Sequence, residues 1–298
     1  MRTARNNASR PEGLGGRAVI GGAPGRLPNL VVVGAMRSAT SYLAAKLRTH
    51  PDVFMSPTKE LHYFNRWYDR GTEWYMRNFA GATDESIVGE ATPEYMHARG
   101  AIRRIAEVVP DAKLIASLRN PVDRAYSHYL KERAWIWEPL DFAEAITVEP
   151  ERLANATEVR RDRYAYLDKG RYLTQLQRIC EYFPRSSLLV VVFEDMRADP
   201  EGTFRTIFEF LGVDPSFIPP DLRTRVGSHK TLRSRRFHTA LRRLPASPVR
   251  RGLEKMNIRT EAPPPMDPAI RARLLEEFAA PNAALAEWLG RDLDAWNR

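Results

Sequence analysis

Short apolar runs alternate along this chain with segments whose apolar residues recur every three or four positions, the spacing of a helix packed on one face. Each run is continuously apolar, which is typical of parallel strands covered on both faces. The runs comprise residues 31–34, 53–55, 87–89, 114–118 and 188–193. Their alternation with helices predicts an α/β fold in which a central parallel β-sheet is flanked by helices.

Proline and glycine mark the predicted helix boundaries. Two helical patterns begin where an aspartate precedes a proline, at Asp199 and at Asp267, and the first of them stops at Gly212. A proline in the first turn loses no hydrogen bond, and glycine tolerates the left-handed conformation that ends many helices. We find no internal repeat, and the sequence does not give the order of the strands.

Two predicted strands run straight into polar loops that open helices. Residues 30–41 read LVVVGAMRSATS and residues 114–127 read LIASLRNPVDRAYS, so each loop carries an arginine and hydroxyl groups. Unpaired N–H groups and the positive end of the helix dipole suit such a turn to phosphate or sulfate. Because parallel strands place their carboxyl ends at one edge of the sheet, we expect one crevice that binds a ligand with two anionic ends. The residues at or just beyond strand ends that should line it are Gly34, Glu60, Glu90, Arg119 and Glu194.

The first loop differs from the P-loop of nucleoside-triphosphate enzymes. That loop has the pattern GxxxxGK[ST], whereas residues 34–41 contain no second glycine and no lysine, which counts against an ATP-dependent kinase. Arg37 retains a positive charge and spreads it over a plane suited to bidentate contacts with oxygen. The alternative for this segment is an ordinary strand-to-helix turn capped by Ser38 or Thr40.

The second loop is the more discriminating of the two. Asn120 followed by Pro121 predicts a helix start. Arg119 at the strand end and Ser127 two turns into the helix can then converge on one anion. The alternatives are a structural ion pair for Arg119 and a solvated serine.

The two loops, in this order and at this separation, resemble those of the sulfotransferases that use 3′-phosphoadenosine 5′-phosphosulfate (PAPS), especially the heparan-sulfate-type and related bacterial branch. The resemblance extends from about Leu30 to LGRDLDAW at 289–296 and includes KELHYF at 59–64. It implies a P-loop-NTPase-like sulfotransferase fold over residues 27–298, with PAPS as co-substrate and no metal ion.

The resemblance also implies roles for individual residues. Arg37 would steady the oxygen that bridges phosphate and sulfate as it becomes the leaving group. The 3′-phosphate, which distinguishes PAPS from ATP, would be bound by Arg119 and Ser127. The residues implied at the 5′-phosphosulfate are Arg37, Ser38, Ala39, Thr40 and Ser41.

Glu60 is the candidate general base, because a hydroxyl that attacks sulfur must lose its proton and a carboxylate just beyond a strand can take it. In the heparan-sulfate branch the matching glutamate has this role, and a histidine two residues on, here His62, lies close by. The alternatives are a solvated ion pair of Lys59 with Glu60 and a purely structural histidine.

Two positions depart from the heparan-sulfate branch. Ala91 stands where those enzymes carry an active-site lysine, and Asn65 replaces an acid. Both differences argue against a heparan acceptor and leave the sulfuryl-transfer residues intact. The second cation must therefore come from elsewhere or be unnecessary.

Charge is concentrated late in the chain. The net charge is +9, and residues 223–259 contain twelve Lys or Arg against the single acid Glu254. Phe237 is the only aromatic residue there, which disfavours nucleic acid because bases stack on aromatic rings. We expect a mobile basic flap in which Lys230 or Arg233 closes over the nucleotide; a solvated basic surface is the alternative. The aromatic residues of segment 134–166 are expected to be core or, less strongly, to line an acceptor cleft.

Length and composition favour one domain. With 298 residues and 43% hydrophobic side chains, the chain can bury one large core. Residues 1–26 are predicted to be a disordered basic tail. A single cysteine, Cys180, and the lack of an apolar leader or membrane-length run favour a cytoplasmic protein without membrane insertion.

Together these patterns predict a PAPS-dependent sulfotransferase that acts on a hydroxyl, or less favourably an amine, of a small metabolite or glycan. The remaining alternatives are a small-molecule kinase of the P-loop type and a basic nucleotide- or nucleic-acid-binding protein.

Overall fold

A five-stranded parallel sheet forms the centre of the protein, as predicted. The structure is a computed structural model that describes residues 25–223, 229–245 and 247–298, so residues 1–24 of the predicted tail and residues 224–228 of the predicted flap lie outside it. The strands are β1 (Leu30–Gly34), β2 (Val53–Met55), β3 (Ile87–Ala91), β4 (Lys113–Leu118) and β5 (Leu188–Val192). Each coincides with one of the five apolar runs.

Helices cover both faces of this sheet. Their bounds are α1 (Thr40–Leu47), α2 (Tyr63–Arg66), α3 (Gly71–Met76), α4 (Ala101–Val108), α5 (Pro121–Ala134), α6 (Phe142–Thr147), α7 (Glu149–Ala154), α8 (Glu158–Tyr164), α9 (Tyr172–Cys180), α10 (Phe193–Ala198), α11 (Pro200–Leu211), α12 (Arg235–Leu241), α13 (Pro248–Met256) and α14 (Pro268–Leu289). Short 3-10 turns occupy Tyr68–Arg70, Arg77–Phe79, Asp168–Gly170, Arg185–Ser187 and Asp294–Asn297. Among the described residues, no helix has the length and apolar character required to cross a bilayer.

The strand order is β2-β3-β1-β4-β5, with β1 at the centre. β1 pairs in parallel with β3 on one side and with β4 on the other. Val31 is in register with Glu90 of β3 and with Leu114 of β4. The chain builds one half of the sheet through β2 and β3 and then crosses to the other side of β1. This reversal creates a topological switch point between β1 and β4, where open α/β sheets bind ligands.

Successive residues of β1 serve opposite faces of the sheet, so the strand belongs to two cores at once. Val31 and Val33 pack with the apolar sides of α4 and α9, whereas Leu30 and Val32 pack with α1 and α11. A third cluster joins α5 to α14 through Val122 and other buried side chains. The strand that opens the first loop is therefore held from both sides.

Part of the basic segment folds into a structure that the sequence patterns do not reveal. β6 (His229–Leu232) and β7 (Ile258–Glu261) form an antiparallel pair, and α12 and α13 lie between them in the chain. The guanidinium groups of Arg163 and Arg242 lie over the Trp137 ring, with their Cζ atoms 3.7 and 4.1 Å from the ring centroid. Aromatic residues of segment 134–166 thus hold the basic segment against the main domain.

Glu90, expected in the crevice, is instead part of the core at the end of β3. It is 1% exposed, and its carboxylate accepts hydrogen bonds from the hydroxyls of Tyr75, Thr92 and Tyr95 at 2.9, 2.6 and 3.0 Å. Burial raises the pKa of Glu90 to about 7, although the three hydroxyls oppose this effect.

Replacing Glu90 by glutamine should remove a pH dependence of stability. Glu90 has an ordinary pKa of 4.5 when unfolded and about 7 when folded, so the folded state binds more protons between these values. The free energy of unfolding should therefore fall by up to about 3 kcal/mol as pH rises through this window. Urea denaturation at pH 5 to 8 should show this fall in wild type and a shallower one in Glu90→Gln. Identical slopes would contradict the raised pKa.

Candidate active site

The first loop leaves the N-terminus of α1 open. Ala39 is the N-cap residue with φ of 63°, and no side chain caps the first turn, so the expected alternative of a cap by Ser38 or Thr40 is wrong. The leading N–H groups of a helix have no partner within it. A Cβ on Gly34 would lie 2.6 Å from the Cβ of Met96, which explains the glycine at this turn.

Hydroxyl groups of the first loop differ in their surroundings. The Ser38 Oγ atom is buried without a hydrogen-bond partner, and the Ser38 carbonyl accepts from Ser117 of β4 at 2.6 Å. Thr40 is buried, whereas Ser41 is exposed and its Oγ accepts from Lys59 Nζ at 2.7 Å. The neighbouring strand thus anchors the loop at Ser38.

The second loop is fixed by a hydrogen-bond network at the start of α5. Asn120 Oδ1 accepts the backbone N–H groups of Val122 and Asp123, and Asn120 Nδ2 donates to the Trp296 carbonyl at 3.0 Å. Glu194 accepts the Asn120 N–H at 3.1 Å and the Trp296 indole N–H at 3.0 Å. The helix start predicted from Asn120 and Pro121 is confirmed. Glu194 belongs to this hydrogen-bond network.

The two loops meet through their arginines. Arg37 Nε donates to Ser127 Oγ at 3.0 Å, and an Arg119 guanidinium nitrogen donates to the Arg37 carbonyl at 3.4 Å. Arg119 lies over the Phe193 ring, 4.9 Å from its centroid, and its Nε atom is buried without a partner. Within the described residues Arg119 forms no ion pair, so the alternative of a structural salt bridge does not hold.

Positive charge accumulates where the loops meet. Burial lowers the pKa of the Arg37 guanidinium, and the charges of Arg119 and Arg124 lower it further, whereas Glu132 and Glu60 oppose the shift. Arginine remains charged under such shifts because its ordinary pKa is above 12. Three neighbouring guanidinium groups favour an anion with more than one negative charge.

Glu60 follows β2 in a strained turn beside the first loop. Its N–H donates to the Ala91 carbonyl at 3.1 Å, and the N–H of His62 donates to Thr92 Oγ1 at 3.5 Å. Glu60 and His62 have φ of 60° and 53°, in the left-handed region that costs non-glycine residues free energy. The end of β3 and the residue after it thus hold the backbone of this turn at the carboxyl edge of the sheet.

Lys59 joins Glu60 to the first loop. Its Nζ lies 2.6 Å from Glu60 Oε1, in addition to its bond with Ser41, so the ion pair considered from the sequence is present. Burial alone would raise the pKa of Glu60, but the charge and hydrogen bond of Lys59, with the charges of His62 and Lys131, outweigh it and lower the pKa. The carboxylate is ionised at neutral pH and able to accept a proton.

Two cations act on Glu60, of which Lys59 was considered from the sequence as its ion-pair partner and Lys131 was given no role. Ala91 touches the Glu60 backbone, and Lys59 and Lys131 supply positive charge to the carboxylate instead of a lysine at that position. Lys131 lies one helical turn after Ser127 on α5, which is the spacing that could have identified it.

His62 lies between an amide and a second carboxylate. Its Nδ1 atom is 3.3 Å from Asn65 Oδ1. A ring nitrogen of His62 and one carboxylate oxygen each of Glu60 and Glu94 all lie within 4.8 Å of one another. Burial lowers the pKa of His62, and the Glu94 carboxylate opposes this effect most strongly. The imidazole is therefore neutral at physiological pH.

The basic residues expected to contact the nucleotide lie on the second sheet. Lys230 is on β6, Arg233 follows it, and both are exposed. The backbone N–H of Arg233 donates to Asn257, but among the described residues neither side chain bonds to the two loops.

Comparison with known proteins agrees with this geometry. Residues 27–247 match the model of the sulfotransferase domain. Human heparan sulfate glucosamine 3-O-sulfotransferase 6 is 30% identical over 275 residues, which are 90% of this chain and 73% of that protein. The human bifunctional heparan sulfate N-deacetylase/N-sulfotransferase 3 is 33% identical over 204 residues, but the match spans only 23% of its length.

A solved structure extends the likeness to three dimensions. A sulfotransferase from Alicyclobacillus acidocaldarius is 29% identical, with a TM-score of 0.70 over 92% of this chain and 100% of that one. The predicted P-loop-like sulfotransferase fold is thereby confirmed. With two anion-suited loops at the switch point and a family model that matches most of its length, this chain belongs to the sulfotransferase family.

Proposed function

We propose that the enzyme transfers the sulfuryl group of PAPS to a hydroxyl, or less favourably an amine, of a small metabolite or glycan. The observation that carries the proposal is the contact between Arg37 of the first loop and Ser127 of the second. At this contact two anion-suited helix starts, placed side by side by β1 and β4, meet in one crevice. A donor nucleotide with a 5′-phosphosulfate and a 3′-phosphate has the two anionic ends that such a crevice requires.

Polar groups without protein partners support the fit of this donor. Ser38 Oγ and Arg119 Nε are buried and unpaired, and no side chain caps α1. A buried donor left without an acceptor costs free energy, so such groups favour an anionic ligand. Arg37, Ser38, Ala39, Thr40 and Ser41 would hold the 5′-phosphosulfate, and Arg119 and Ser127 the 3′-phosphate.

In the proposed reaction the chain's residues handle charge and a proton. The acceptor oxygen attacks sulfur in line with the oxygen that leaves, and Glu60 takes the acceptor's proton. Arg37 stabilises the negative charge that develops on the leaving bridging oxygen. Lys59 holds Glu60 ionised until the acceptor arrives. His62 is proposed to assist the base.

The acceptor is proposed to be a small metabolite or a glycan. Relatives named for heparan sulfate support a glycan, whereas Ala91 and Asn65 depart from that branch and disfavour heparan itself. We retain a cytoplasmic location and the absence of a metal ion as proposals. The kinase alternative is disfavoured by the missing GK[ST] pattern, and a nucleic-acid binder would not require Glu60.

Adenosine 3′,5′-bisphosphate should bind without a metal ion and at least about tenfold more tightly than AMP, because Arg119 and Ser127 have only the 3′-phosphate to hold. Arg119→Ala should weaken this binding by about 1.5–3 kcal/mol. The matched control is Arg185→Ala, since Arg185 precedes β5 at the opposite edge of the sheet. Calorimetry in EDTA measures both. Equal affinity for the two nucleotides, or a strict Mg²⁺ requirement, would contradict the proposal.

Glu60→Gln should lower turnover by a factor of about 100 or more while leaving nucleotide affinity near that of wild type, as expected for a lost general base. Arg37→Ala should damage both binding and turnover. Glu209→Gln, an exposed change on α11, is the control. The assay is sulfate transfer from PAPS to a panel of phenols, sugars and aliphatic alcohols. A fully active Glu60→Gln enzyme would show that the base lies elsewhere.

Closure of the basic segment is a third expectation. If Lys230 and Arg233 approach the nucleotide, saturating adenosine 3′,5′-bisphosphate should slow trypsin cleavage within residues 223–259. Replacing both residues by alanine should weaken nucleotide binding, whereas replacing Arg251 and Lys255 of α13, which are also exposed, should not. Unchanged proteolysis with bound nucleotide would rule out the flap.

A further inference from the structure

Glu94 is a buried acid that the proposed reaction leaves without a role. It lies in the turn that follows β3, is 5% exposed, and its Oε2 atom has no hydrogen-bond partner. Burying a carboxylate without a partner is costly unless a positive charge faces it. One of its carboxylate oxygens lies within 4.8 Å of a carboxylate oxygen of Glu60 and of a ring nitrogen of His62, so the candidate base and the imidazole are its neighbours.

Other charges around His62 are already paired. The groups that face the imidazole are Glu94, Arg66, Glu60 and Asp162. Asp162 of α8 accepts from Arg66 at 2.7 Å and lies 3.6 Å from the buried Lys169 ammonium, whose charge also acts on Glu94. Glu60 is paired with Lys59. Glu94 is therefore the acid available to balance a positive charge on His62.

Asn65 determines which nitrogen of His62 can accept a proton. An amide oxygen only accepts hydrogen bonds, so the 3.3 Å contact assigns the hydrogen to Nδ1 and leaves the lone pair on Nε2. A neutral amide cannot balance the charge of an imidazolium. Glu94, from a different part of the fold, brings a carboxylate to the same ring.

We propose that Glu94 is a positioning residue that allows His62 to receive the acceptor's proton from Glu60. The inference rests on the proposed function. The acceptor O–H bond breaks, its oxygen forms the new bond to sulfur, and the bond from sulfur to the bridging oxygen breaks with its electron pair on that oxygen beside Arg37. The proton passes to Glu60 and then to Nε2 of His62. Glu94 stabilises the imidazolium, and Glu60 returns to its ionised form.

A first test measures His62 without relying on activity. The imidazole resonances of the six histidines, with His62 assigned through His62→Asn, are titrated by NMR in wild type, Glu94→Gln and Glu94→Asp. Removing a facing negative charge destabilises the imidazolium, so the His62 pKa should fall by about one unit in Glu94→Gln and stay near wild type in Glu94→Asp. An unchanged pKa in Glu94→Gln would overturn the inference.

A second test measures the proton path. In Glu94→Gln the turnover number should fall about tenfold with nucleotide affinity unchanged. The acidic limb of kcat/KM should move to lower pH by about one unit, because the essential neutral form of His62 then persists further into acid. Glu94→Asp should restore most of both.

A double-mutant cycle separates this role from general packing. If Glu94 acts through His62, adding Glu94→Gln to His62→Asn should cause little further loss of turnover. Fully additive losses, or an unshifted acidic limb, would overturn the inference. A wild-type enzyme that transfers no sulfuryl group from PAPS would refute the proposed function instead, and the NMR result would stand independently.

Discussion

The pairing of β1 with β4 is the constraint on which the site depends. Two strands far apart in the chain lie side by side with their carboxyl ends at one edge of the sheet. The loops that follow them are therefore adjacent. Ser117 of β4 then bonds to Ser38 of the first loop, and Arg37 bonds to Ser127 beyond the second. The convergence of the loops is thus a property of the sheet, and the side chains refine it.

The site concentrates like charges that the rest of the fold must balance. Arg124 is fully buried on α5 and donates to the Tyr166 carbonyl, while its Nε and one terminal nitrogen have no partner. Nearby, burial raises the pKa of Glu149 to about 7, although the N–H groups of Leu167 and Asp168 and the charge of Arg124 oppose this. Burying charged groups with incomplete pairing in this way costs stability.

Local patterns predicted the parts of this fold that local physics determines. The five strands are continuous apolar runs, and Asn120 before a proline is a start signal that needs no tertiary contact. The β6–β7 pair escaped prediction because its strands contain few apolar residues and pair across about thirty residues. The alternative of a Ser38 or Thr40 cap on α1 was wrong because the turn places Ala39 at the N-cap position.

Within the site, the sequence indicated side chains that follow strand ends and missed those that approach from elsewhere. Glu90 and Glu194 lie at strand ends as expected, but Glu90 is bonded to the buried hydroxyls of Tyr75, Thr92 and Tyr95, and Glu194 is bonded to Asn120 and Trp296, which are distant in the chain. Glu94 carries no motif of its own, and Lys131 is marked only by its helical spacing from Ser127 on α5. Their proximity to Glu60 depends on how the end of β3 and α5 pack, which periodicity does not encode.

Lys59 links the first loop electrostatically to the carboxylate of Glu60. One ammonium group contacts both the first loop, at Ser41, and the carboxylate of Glu60. A cation shared in this way interacts more strongly with its more negative neighbour. An anion bound at the first loop therefore weakens the interaction of Lys59 with Glu60. The carboxylate becomes more basic when that happens. Under the proposed function, Glu60 is therefore the stronger base once the anionic donor occupies the first loop, which couples donor binding to proton removal.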